Sequence, residues 1–217
     1  KSFAYLVPAI AFAQQHKDCR VLVSTHTISL QEQLVQKDIP LLRRALPEPF
    51  TAGLLKGRSN YLSRRRLLVA APRAGSLFEK QEELAQLARL VRWANITEDG
   101  TLSDLDFQPL ASVWDQVASD SDNCLGRRCP HYDSCFYFRS RQLARQAQLL
   151  VVNHALFFSD LALRRSSDGA ALLPDYEAVI FDEAHTLEDV AAEHFGVSLT
   201  SGQINFLLNR LFSPKSG

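Results

Sequence analysis

Three short, almost wholly apolar runs constrain the fold of this chain more than anything else in it: residues 20–24, 149–153 and 178–182. Each is four or five residues of the Val/Leu/Ile/Phe type without polar alternation, the pattern of a strand buried on both faces. Helical periodicity surrounds the first of them. Residues 3–15 place Phe3, Leu6, Val7, Ile10 and Ala11 on one face, with Pro8 expected to bend the helix, and residues 29–46 repeat the pattern until Pro47 and Pro49 stop it. Helix, strand, helix is the rhythm of an α/β sheet. From about residue 53 to 148 no strand-like run occurs, and the pattern is helical around 64–71, 79–94 and 136–148. An interruption of roughly 90 residues is far longer than an ordinary connection, so a mainly helical module with its own core is expected inside the sheet domain. After residue 193 something new begins, with a helix expected at 203–212.

The third apolar run ends in Asp182-Glu183-Ala184-His185. A strand that ends in two acids sets carboxylates at the carboxyl edge of a sheet, where ligands bind in α/β folds. Nucleotide hydrolysis needs one carboxylate to hold Mg²⁺ and another to orient the attacking water, roles that suit Asp182 and Glu183. His185 stands just beyond, placed to couple the nucleotide state to its neighbours. The bland alternative is a solvated strand end. Lys1-Ser2 opens the first helix as the end of a phosphate loop would: an ammonium for the β and γ phosphates of ATP and a hydroxyl for Mg²⁺. The glycine turn of such a loop is not in this chain, and neither is a second motor domain, so little or no ATPase activity is expected of these 217 residues by themselves. The start at Lys1-Ser2-Phe3 and the lack of methionine suggest a piece of something longer.

Net charge is zero, yet the charges lie in blocks. Lys56, Arg58, Arg64, Arg65, Arg66 and Arg73 follow one another with no acid between; ten acids against three bases fill 79–122; five arginines face one aspartate from 127 to 145. Two basic blocks flanking an acidic one point to an anionic partner met at a defined place, or to solvated helix faces. Tyr61, Tyr132, Phe136, Tyr137 and Phe138 lie among them, as base-stacking platforms or, for most, as core; Trp93 and Trp114 read as core. No apolar run reaches the roughly 18 residues of a membrane span, and the N-terminus lacks a secretory pattern, so a soluble protein of a reducing compartment is expected. Of four cysteines, Cys19 reads as a buried apolar residue, while Cys124, Cys129 and Cys135 fall within twelve residues. Three thiols on one short loop suit a metal or cluster better than a disulfide here. An iron–sulfur cluster needs a fourth thiolate; zinc could use His131 at an awkward spacing; free thiols are the third possibility.

Taken together, Lys1-Ser2, Ser24-Thr25-His26-Thr27, Leu55-Lys56-Gly57-Arg58-Ser59-Asn60-Tyr61, the cysteines, Val152-Asn153-His154 and Asp182-Glu183-Ala184-His185 resemble, in order, the DinG/XPD branch of superfamily-two DNA helicases, the bacterial DinG and YoaA group above all. The resemblance implies a RecA-like motor domain from 1–54 and 147–194, an iron–sulfur domain inserted at 55–146, and an arch-type domain starting within 195–217. It implies ATP, Mg²⁺ and a [4Fe-4S] cluster as cofactors, with Cys124, Cys129 and Cys135 as ligands. The family's fourth ligand falls on Ser63, a poor iron ligand, so the cluster could be labile, incomplete or missing. It implies 5′-to-3′ travel on single-stranded and forked DNA, in repair and replication, in the bacterial cytoplasm at the nucleoid. Thr25, His26 and Thr27 match the strand-contacting motif, and Arg58, Tyr61, Arg64 and Arg65 would add contacts from the module. A DNA-binding module without turnover and a thiol- or cluster-based redox sensor are the rival readings.

Overall fold

A computed structural model describes residues 1–15, 19–166, 171–195 and 201. Four parallel strands, β1 (Val21–Thr25), β2 (Ala52–Leu54), β3 (Leu149–Asn153) and β4 (Ala178–Phe181), form one sheet in the order β2-β3-β1-β4. The register pairs Val21 with both Leu149 and Ala178, and Ser24 with both Val152 and Phe181. The carboxyl ends of β1, β3 and β4 therefore share one rim. Alternation sorts the side chains: Val21, Val23, Leu149 and Val151 face one core, while Leu22, Leu150 and Val152 face the other. Three apolar runs were legible as strands; β2, three residues long at the sheet edge, falls in a stretch expected to hold no strand, being too short to leave a pattern.

On the first face lies α1 (Ser2–Gln15), continuous through Pro8. It buries Leu6, Ala9, Ile10 and Ala13, whereas Phe3, Val7 and Ala11, expected on the buried face, are exposed; the buried stripe is turned toward Ala9 and Ala13, whose small side chains let the helix approach the sheet. The helix expected at 29–46 comes in pieces: α2 (Ile28–Gln33), a π-helical turn (Leu34–Asp38) and α3 (Ile39–Ala45). Pro40, which has no N–H to return to the preceding turn, follows that widened turn. The second face is covered by Leu156 and Phe157, from the helix that follows β3.

Between β2 and β3 the chain builds a separate helical layer: α4 (Arg64–Ala70), α5 (Ala74–Leu77), α6 (Gln81–Trp93), α7 (Ala111–Val117) and α8 (Phe136–Gln146). Leu62, Leu87, Leu90, Val113, Trp114, Phe136 and Tyr137 make its core, with Trp93 packed at its edge. Gly100 is required there: its φ is +61°, and a Cβ would lie 2.3 Å from the Phe136 ring. α8 returns the chain to the sheet and packs on β2, where Gly53 lets Ala147 approach to within 3.2 Å of where a Cβ would be. After β3 come α9 (His154–Ser166), β4 and α10 (Leu187–Phe195), which packs on α9. The helix expected at 203–212, most of 195–217 and His16 lie outside the described residues. No described helix is long and apolar enough to cross a membrane.

Candidate active site

The carboxyl rim of the sheet gathers residues from both ends of the chain. Lys1 Nζ lies 2.8 Å from Asp182 Oδ1 and 2.6 Å from Glu183 Oε1, although about 180 residues separate them. Tyr5, one turn after Lys1 on α1, donates its hydroxyl to Asp182 Oδ2 at 3.0 Å. Asp182 is held further by the strand: its backbone N–H donates to Ser24 O at 2.9 Å, and its Oδ1 accepts the Glu183 N–H at 3.1 Å. Burial pushes the Asp182 carboxyl up, but the Lys1 ammonium and the Tyr5 hydroxyl outweigh it and hold it below the ordinary carboxylate range. Lys1 is raised by the same contacts, led by the hydrogen bond to Asp182. Both members of the pair are thus kept charged.

Glu183 is the one described non-glycine residue with positive φ, at 56°. That left-handed turn, disfavoured for a residue with a Cβ, ends β4 abruptly and swings the Glu183 side chain back toward Lys1. Thr186 closes the turn through its hydroxyl to Glu183 O. His185 is exposed, its Nδ1 3.5 Å from Glu183 Oε2. Ser2 stands beside Lys1 in the first turn of α1, half-buried.

Beneath the rim lies a pair that single-residue reading did not assemble. Ser24 Oγ and His154 Nδ1 are 2.7 Å apart, both fully buried, and the His154 ring lies 6.0 Å from Phe181 and 6.2 Å from His26. Its Nε2 has no hydrogen-bond partner among the described residues. Burial pushes the ring below the usual imidazole range, with the Asp182 backbone pulling the other way. Ser24 ends one apolar run and His154 directly follows another, which is the signal that could have paired them. Thr25 is buried, His26 and Thr27 are exposed, and the Thr27 hydroxyl caps α2 by accepting the Leu30 N–H.

The first basic block does something other than face solvent. Arg58 donates to Asp120 O, Arg64 to Ser134 O, Arg65 to Asn123 O and Arg66 to Ala118 O, so four guanidinium groups fasten the segment that carries the cysteines. Arg58 also lies 4.1 Å over the Tyr137 ring and Arg64 4.4 Å over Phe136. Tyr61, expected to offer a face to DNA, is instead a core residue, 2% exposed, and its hydroxyl accepts the Lys56 N–H. A basic, aromatic stretch looks the same whether its donors meet phosphates or loop carbonyls. Lys56 is itself buried, paired with Glu32 at 2.8 Å and bonded to Thr101 and Ser103.

The cysteine loop does not fit a four-ligand cluster as it stands. Cys124, Cys129 and Cys135 are free thiols, and no three His, Cys, Asp or Glu side chains among the described residues stand together as a metal-holding group. The Ser63 hydroxyl caps α4, accepting the Arg66 N–H at 3.4 Å. Cys124 Sγ accepts the Gly126 N–H. Cys19 is buried, 4% exposed, as its apolar setting suggests.

Residues 115–204 match the DEAD_2 family model. The chain is 40% identical to the ATP-dependent DNA helicase YoaA of Haemophilus influenzae and to that of Escherichia coli (strain K12), over 94% of this chain and 31% of each relative. It is 37% identical to the ATP-dependent helicase DinG of Mycobacterium tuberculosis over 99% of this chain and 34% of that protein. Over nearly its whole length the chain is similar to DinG-type helicases. It spans about a third of the length of the curated relatives it matches. The DEAD_2 match takes in β3, the Ser24 partner His154 and the Asp182–Glu183 turn, and the two carboxylates of that turn meet Lys1 at the rim of the parallel sheet.

Proposed function

We infer that this chain supplies the first RecA-like motor domain of an ATP-dependent DNA helicase that moves 5′ to 3′ on single-stranded and forked DNA in repair and replication. The observation that carries the reading is the position of the Lys1 ammonium, within 2.8 Å of both Asp182 and Glu183 carboxylates at the carboxyl rim of a parallel sheet. Mg²⁺-ATP, when bound, supplies the γ-phosphoryl group and the divalent charge. The residues present suit it: Asp182, kept ionised by Lys1 and Tyr5, and the Ser2 hydroxyl are the hard oxygen donors that Mg²⁺ takes, and Lys1 is the phosphate cation. Glu183, swung out by its left-handed backbone, is the group that orients and deprotonates water, and His185 beside it relays the state of the site. Ser24 and His154 link this rim to the segment 25–27. We assign its exposed His26 and Thr27 to the DNA strand, while Thr25, expected to join them, is buried and holds the turn through its hydroxyl to Thr27 O.

The assignment of Cys124, Cys129 and Cys135 to a [4Fe-4S] cluster is supported by their spacing and by the family; Ser63 at the fourth position, whose hydroxyl caps α4, does not add to that support. Turnover tests the nucleotide reading. In a protein with a glycine loop ahead of Lys1 and a second motor domain, Glu183→Gln should reduce DNA-stimulated ATP hydrolysis by at least a hundredfold while nucleotide still binds. Unchanged turnover would remove Glu183 from the chemistry. The names of the relatives agree with the reading: each of the three is called an ATP-dependent helicase.

A further inference from the structure

A buried imidazole with one nitrogen unanswered sits beneath the Asp182–Glu183 turn. His154 is the first residue after β3, is 0% exposed, and meets Ser24 Oγ through Nδ1 at 2.7 Å. Ser24 is equally buried, and its hydroxyl makes this bond alone among the described residues. Two tautomers suit the pair. With the proton on Nδ1 the ring donates to Ser24, and both the serine hydroxyl hydrogen and Nε2 are left in the core without a partner. With the proton on Nε2, Ser24 donates to Nδ1, and the one group left over is an Nε2–H donor. Each unanswered buried polar group costs about 1–3 kcal/mol, so the fold selects the second arrangement.

The acceptor for that donor lies on the turn. Burial dominates the titration of the ring, but the backbone of Asp182 and, more weakly, that of Glu183 pull the other way, which places both beside it. Glu183 O is already taken, by the Thr186 N–H at 3.0 Å and the Thr186 hydroxyl at 2.9 Å. No backbone N–H among the described residues donates to Asp182 O. The Asp182 N–H donates to Ser24 O, and a parallel ladder continued by one step would bring the N–H of His26 to Asp182 O. Pairing stops at Ser24 and Phe181, however; β1 ends at Thr25 and α2 begins at Ile28. The His154 ring, 6.0 Å from Phe181 and 6.2 Å from His26, stands where that N–H is missing.

We propose that His154 is a positioning residue for hydrolysis: its Nε2–H bonds Asp182 O when the turn closes, and so fixes the backbone that aims Glu183. At rest the bond is open. Once made, it clamps Asp182 from both sides, with Ser24 O on its N–H and His154 on its carbonyl. The next residue is Glu183, held at a φ of 56°, and a strained turn keeps its shape only where its surroundings over-determine it. His154 touches neither carboxylate; it acts through the backbone that carries them. The proposal rests on the reading of Asp182 and Glu183 as the nucleotide site.

Two substitutions separate the two ring nitrogens. The amide of asparagine reaches as far as Nδ1 and that of glutamine as far as Nε2. His154→Asn therefore keeps a partner for Ser24 without a donor to the turn, and His154→Gln restores the donor. In a protein with a glycine loop ahead of Lys1 and a second motor domain, His154→Asn should lower kcat for DNA-stimulated ATP hydrolysis at least tenfold, with KM for ATP within about twofold of the parent. His154→Gln should recover kcat to within about threefold of the parent. Equal losses in both variants, a change in KM alone, or no loss in His154→Asn overturns the proposal. The tautomer is a readout that needs no turnover and no variant that folds poorly. In the 217-residue chain with nitrogen-15 histidine, two-bond nitrogen–proton correlations should place the His154 proton on Nε2; a proton on Nδ1 overturns the proposal. Failure of the nucleotide reading looks different. Unchanged turnover in Glu183→Gln removes the site itself, whereas a fully active His154→Asn beside an inactive Glu183→Gln removes only the role of the ring.

Discussion

Lys56 shows how much one side chain can be asked to hold. Its ammonium is 2% exposed and answers Glu32, Thr101 and Ser103, which lie on α2 and on the loop before α7. Lys56→Met removes the charge and leaves Glu32 facing a desolvated site, at a cost of roughly 3 kcal/mol. Denaturant unfolding should show that loss, and adding Glu32→Gln should recover part of it. His154 makes a prediction about pH. Its folded-state value lies below the ordinary 6.5 because the ring is buried, so the unfolded chain takes up the proton first as pH falls. The stability it contributes is present above about pH 6.5 and is lost as pH falls from there through the folded value. The melting temperature should drop between pH 7 and 5, and His154→Asn should flatten that drop. Asp182, also lowered, acts only in a more acid window, below about pH 4.

At the scale of elements, turns and caps decide where side chains go. Gly100 combines a φ of +61° with a Phe136 ring 2.3 Å from where a Cβ would sit. Gly100→Ala must therefore both strain the backbone and displace the ring, and we expect a loss of more than about 2 kcal/mol, read by chemical denaturation. On the first face of the sheet the helices at 2–15 and 28–45 were legible from periodicity, because an amphipathic stripe survives in any sequence that buries one face. The register of that stripe was not. Phe3 and Val7 look like core residues by composition, yet α1 turns Ala9 and Ala13 to the sheet, since close packing selects small side chains. β2, α5, α7, α9 and α10 were missed outright: three residues of strand carry no period, and the seven of α7 lie in an acidic stretch.

The whole molecule has a sheet packed on both faces and a helical layer with its own core, joined where α8 meets β2 and where Lys56 meets Glu32. Leu90→Ala, in the helical core, should cost about 2–5 kcal/mol there. Hydrogen exchange should then quicken for amides of α6 and α7 while those of β1 and β3 keep their protection; a uniform loss across both would mean that the two cores unfold as one.

From residues alone one could tell that β1, β3 and β4 would be strands, that a long helical stretch would interrupt them, and that Asp182 and Glu183 would end a strand; β1 and β3 are buried as expected, whereas β4, at the sheet edge, is only half-buried. The elements are local facts, fixed by side-chain type and by the two-residue and 3.6-residue periods. Which charges face each other is not local. The approach of Lys1 to Asp182, the pairing of Ser24 with His154, and the division of the arginines into those that hold a loop and those left exposed arise between residues far apart in the chain. A guanidinium group has the same composition in either role, and only the packed chain decides whether a carbonyl is already there to meet it.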